Sequence, residues 1–79
     1  MTKSAEKRRL FHVSMASGAD IVIDVDPCSL KLSDVVDCYE YVGRGVFEED
    51  LTRYRVKCKT CVNPNMIQWF TWFDAEVIA

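Results

Sequence analysis

The side chains able to do chemistry are few and thinly spread. One histidine, His12, stands early in the chain, and no serine or cysteine is tied to it by a recognised spacing. A nucleophile works only with its base in hydrogen-bond reach, so these residues make no catalytic constellation. The glycines at 18, 43 and 45 are too scattered for a phosphate-binding loop. A structural or surface role for His12 is the favoured reading, and the protein is expected to be no enzyme.

The cysteines come closer to a pattern. "CKTC" spaces Cys58 and Cys61 as half of a zinc knuckle, because two thiolates with two residues between them can bite one tetrahedral ion. A four-thiolate site would need Cys28 and Cys38 to converge on the same strand end. A thioredoxin-type pair would need Cys58 and Cys61 at a helix N-terminus. The plainer expectation is small buried hydrophobes plus one exposed thiol, with no cofactor; zinc is the alternative.

Charge is segregated along the chain. Residues 1–19 carry +3, residues 20–50 carry −7 and residues 51–79 carry +2, within a net charge of −2. Such a layout speaks of partners and solubility, not of fold. In the acidic block Asp20, Asp24 and Asp26 repeat along one segment, with Asp34, Asp37, Glu40, Glu48, Glu49 and Asp50 behind them. A surface of spaced carboxylates can mimic nucleic acid and block a basic channel; the plainer role is a solvated face. The stripe Arg53, Arg55, Lys57, Lys59 has the opposite sense. Side chains two apart on a strand repeat every ~6.5–7 Å, near the phosphate spacing of an extended nucleic acid strand. They also suit ordinary cross-strand pairing with acids.

The elements that must position these groups follow from periodicity. "LFHVSMASGADIVIDVD" reads as a hairpin: both arms alternate, and "ASGAD" supplies the glycine of a reversal. Pro27 ends the second arm. "LSDVVDCYEYVGRG" predicts a helix, with Ser33 as cap and Val35, Cys38, Tyr39 and Val42 recurring at three and four. "RYRVKCKTC" alternates again as a strand. "MIQWFTWF" reads as a last strand from its Trp, Phe and Thr content. Asn63 before Pro64, with Met66, Phe70, Phe73 and Val77 on one stripe, also allows a helix there.

The sum is an α+β, ββαββ domain over residues 9–79, preceded by a flexible basic arm, residues 1–8. An antiparallel or mixed four-stranded sheet would carry one helix on one face, a layout similar to the β-grasp arrangement of ubiquitin-like domains. No run of 18 apolar residues argues for a helical membrane span. No signal peptide is read at the start, which points to a reducing cytoplasm. Four of the nine aromatic residues fall at Trp69, Phe70, Trp72 and Phe73. One helix covers one sheet face, which leaves Phe70 and Trp72 on the open side as an interface.

The expectation is therefore a non-catalytic interaction protein that binds another macromolecule, most readily a protein and one that itself binds nucleic acid. Its expected contacts are Phe70, Trp72, Asp20, Asp24, Asp26, Glu48, Glu49 and Asp50. Inhibitors from phages and mobile elements share this size and charge, and self-association as a homodimer through the same patch would accompany it. The alternative is a zinc-stabilised nucleic-acid-binding module that uses Arg53, Arg55, Lys57 and Lys59, with Cys28, Cys38, Cys58 and Cys61 on the metal.

Overall fold

The computed structural model of the chain describes residues 5–46 and 50–78. Five strands run in chain order: β1 Ala5–Met15, β2 Asp20–Ile23, β3 Val35–Arg44, β4 Thr52–Cys61 and β5 Ile67–Ile78. They close into a barrel in that same order. Every pairing is antiparallel except β4 with β5, which is parallel. Single turns of 3-10 helix at Pro27–Ser29 and Pro64–Met66 lead into β3 and β5. Each begins on proline, whose fixed φ suits a first helical position, and each is capped by a side chain. Asp26 accepts from the Cys28 amide and Asn63 from the Asn65 amide, both at 2.9 Å.

The predicted hairpin is present. Phe11 faces Ile23 and Val13 faces Ile21, and the turn rests on Gly18 at φ 94°, a region that favours glycine. β4 and β5 are strands as their alternation predicts. β1 begins at Ala5, so residues 5–8 of the expected basic arm are paired with residues 75–78 of β5.

The α+β, ββαββ expectation is overturned, and with it the β-grasp layout. The segment expected to be helical is β3, and among the described residues the only helical turns are the two 3-10 turns. The apparent helical spacing has a specific cause. Cys38 faces Cys58 while the next residue, Tyr39, faces Val56. Lys57 is therefore an extra residue of β4, a β-bulge that bends that strand; β3 itself has no insertion at Cys38–Tyr39. Val36 and Cys38 are buried on the side of the first core and Tyr39 on the side of the second. Burial on both faces puts apolar residues at adjacent positions that mimic the three-and-four spacing of a helix. Asp34 does not open a helix; it closes a turn by accepting from the Lys31 amide at 2.9 Å.

Two cores replace the one-layer packing. Val13, Ile23, Leu30, Val36 and Val62 form the first, and Leu10, Tyr39, Ala75 and Val77 the second. Leu10 and Val13 are three apart in an unbroken register against Phe73 and Phe70, so their side chains leave opposite faces of the ribbon. The first core is covered by Leu30 and Val62, from the connections before β3 and before β5. The second is covered by β3 and β4 where the barrel closes. Leu10, Val13 and Ile23 are fully buried, and burial of such a side chain stabilises by about 1.5–3 kcal/mol. The second face of the aromatic strand is thus served by the chain itself, in part.

Candidate partner-binding surface

β5 divides its aromatics by type. Phe70 packs into the first core, with Phe11 at 6.2 Å between ring centroids. Phe73 packs into the second, 5.5 Å from Tyr54. Trp69 and Trp72 remain 52% and 53% exposed, and being three apart they sit on opposite faces. Of the two rings expected on an open side, Trp72 is there and Phe70 is half-buried. Trp69, expected to face inward, is the second exposed ring. The Arg9 guanidinium lies 3.9 Å over the Trp72 ring, a cation–π contact that fixes the indole in place. Trp69 meets His12 edge-on at 5.6 Å.

The barrel closes through a short overlap. β4 and β5 pair through Thr52–Arg55 and Ala75–Ile78. The overlap is staggered: residues 67–74 of β5 extend past the start of β4 and residues 56–61 of β4 extend past Ile78, so among the described residues each keeps one edge with no strand against it. Such an edge carries alternate unpaired N–H and C=O groups. Beside the start of β4 lies a cleft of about 390 Å³ lined by His12, Val22, Thr52, Tyr54, Thr71 and Phe73. Its floor is the rim of the second core. Tyr41, exposed beside Tyr54 at 5.9 Å, extends the aromatic wall. A second groove, about 440 Å³, runs between the two 3-10 turns past Pro27, Pro64 and Trp69.

The acidic block is not a uniform array. Asp24 accepts from the Tyr39 hydroxyl at 3.0 Å and from Arg8 at 3.4 Å. Asp26 caps a turn, Asp34 closes another, and Asp37 and Glu40 pair with Lys59 and Arg55 at 3.0 and 2.8 Å. Asp20 lies 3.9 Å from His12 and is exposed. Asp50 is exposed, and Glu48 and Glu49 lie outside the described residues. Burial and the bond to Asp24 push the Tyr39 phenol up to about 12, so it stays a donor across the physiological range.

The basic stripe is largely neutralised by these same partners. Arg53 approaches the buried Glu76 at 3.6 Å, and Glu76 also accepts from the Val46 amide at 3.0 Å. Among the described residues Lys57, on the bulge, is the stripe's one cation without an ion pair. A polyanion would have to displace carboxylates to reach the other three.

The thiols do not converge. Cys58 and Cys61, in a strand with unbroken register to Cys38 and Val35, leave opposite faces. Cys61 approaches the Leu32 carbonyl at 3.7 Å, and Cys28 sits on the first 3-10 turn. Among the described residues no three His, Cys, Asp or Glu side chains are grouped to hold a metal ion.

The exposure of Trp72 was legible from the aromatic strand; the cleft that Tyr54, Thr52 and Thr71 line beside it was not. They are brought together by the parallel β4–β5 pairing, for which the sequence carries no local signal. The alternation of "RYRV" and "WFTWF" did mark which side of each strand they occupy. Comparison with known proteins finds no matching family model, no matching curated protein and no matching solved structure. Among the described residues no helix is long and apolar enough to cross a membrane.

Proposed function

We propose that this chain is a small non-catalytic binding protein that accepts an extended segment of a partner protein along the open edge of β5. Three features support the reading. Among the described residues the edge over residues 67–74 has no strand against it, which suits main-chain hydrogen bonding by an added strand. Successive side chains of such a segment would point alternately to the two faces. On one face they meet the cleft between Tyr54, Thr71 and Phe73; on the other they meet Trp72. The single observation that carries the proposal is the staggered β4–β5 overlap, which leaves residues 67–74 of β5 without a neighbouring strand among the described residues, beside two half-exposed tryptophans. Occupying a partner's own strand-pairing segment would make the protein an inhibitor of that partner. The four free thiols, Cys38 among the buried residues, fit a reducing, cytoplasmic setting.

The test is a selection of random linear peptides displayed on phage, followed by affinity measurement against Trp69→Ser and Trp72→Ser. Selected peptides should bind the wild type and lose about tenfold or more on each variant. Failure to select any peptide, or binding unchanged in both folded variants, contradicts the proposal.

A further inference from the structure

The β3–β4 register sets Cys38 directly opposite Cys58, one position before the Lys57 bulge. We propose that Cys38 and Cys58 are a disulfide-forming pair, with the exposed Cys58 as the thiol that reacts first. Facing residues on antiparallel strands lie about 4.5 or about 5.5 Å apart at Cα, inside the about 4.4–6.8 Å that a disulfide spans. The two thiols are close enough that Cys58 contributes to raising the Cys38 thiol, after burial. A bulge beside the pair loosens the ladder locally, which lets the Cβ atoms draw in to the about 3.8 Å a disulfide needs.

The two thiols differ in the way a reacting and a resolving thiol must. Cys58 is exposed and Cys38 is buried; burial raises the Cys38 thiol above its ordinary value, so it stays protonated while Cys58 meets the oxidant. The other cysteines are poor partners. Cys61 leaves the opposite face of β4, and Cys28 lies on the first 3-10 turn.

With hydrogen peroxide as oxidant the step balances. The Cys58 thiol gives up its proton, and its sulfur attacks one peroxide oxygen. The O–O bond breaks, and the leaving hydroxide takes a proton to become water. The Cys38 sulfur then attacks the Cys58 sulfenic acid, and the S–S bond forms as the S–O bond breaks. The second hydroxide takes the Cys38 proton as water. Two thiols are oxidised to one disulfide and one peroxide is reduced to two waters.

The bond would tie β3 to β4 and enclose residues 39–57, a loop long enough to raise the melting temperature by on the order of 10 °C. The test uses the full chain carrying Cys28→Ser and Cys61→Ser. Peroxide should remove the two thiol hydrogens by intact mass, yield one linked species in a non-reducing digest, and raise the melting temperature. Dithiothreitol should reverse all three. Adding Cys58→Ser, an exposed position that leaves the fold intact, should abolish all three. Oxygen addition at Cys58 without a link, or chains joined to one another, would overturn the proposal.

Discussion

The Tyr39 hydroxyl donates to an Asp24 carboxylate oxygen at 3.0 Å, joining β3 to the segment after β2 at the edge of the second core. Arg8 of β1 donates to the same hydroxyl at 3.0 Å. Three separate stretches of chain are therefore held by one buried phenol. Its pKa, raised chiefly by burial to about 12, makes it a reporter of folding. A phenol kept protonated in the fold stabilises fully below its unfolded value of 10, and that contribution is lost as pH rises toward about 12. Tyr39→Phe should cost about 1 kcal/mol at neutral pH. Its urea-unfolding stability should converge with the wild type's between those two pH values. Parallel curves across that window would contradict the assignment.

The two cores should behave as independent stability units. Val13 belongs to the first and Val77 to the second. Each Val→Ala change should destabilise by about 1–3 kcal/mol, and the double variant should be additive within about 0.5 kcal/mol. Val13→Ala with Val36→Ala, within one core, should depart from additivity by more than that. Chemical denaturation of the three single and two double variants makes the comparison, and strong coupling between Val13 and Val77 would mean one shared core.

Phe and Trp on β5 should separate cleanly in the same assay. Phe70→Ala and Phe73→Ala each remove a ring packed on a core and should cost about 2–4 kcal/mol. Trp69→Ser and Trp72→Ser, at half-exposed positions, should cost about 1 kcal/mol or less. A tryptophan variant that unfolds would show its ring to be core.

Much of this was legible. The hairpin, β4 and β5 follow from period-two alternation, and Gly18 marks the turn that joins the first two strands. β3 was not, because both its faces are covered, Cys38 on the side of the first core and Tyr39 in the second, and adjacent apolar residues imitate a helical stripe. Its composition held the corrective: Val35, Val36, Tyr39, Tyr41 and Val42 are residues that suit a pleated surface. The exposed role of Trp72 was readable from the crowding of rings on one strand. That Phe70 is half-buried depends on Leu30 and Val62 folding over its face, a long-range event with no local mark.

The open edge of β5 can be measured directly by amide hydrogen exchange in the free protein and in the presence of a selected peptide. Between Gln68 and Asp74, alternate amides bond to β1 and should exchange slowly, while those between them, facing away, should exchange fast. Bound peptide should slow the fast set and leave the rest of the chain unchanged. Uniform protection in the free protein, or slowing confined to residues away from β5, would show that no strand is added there.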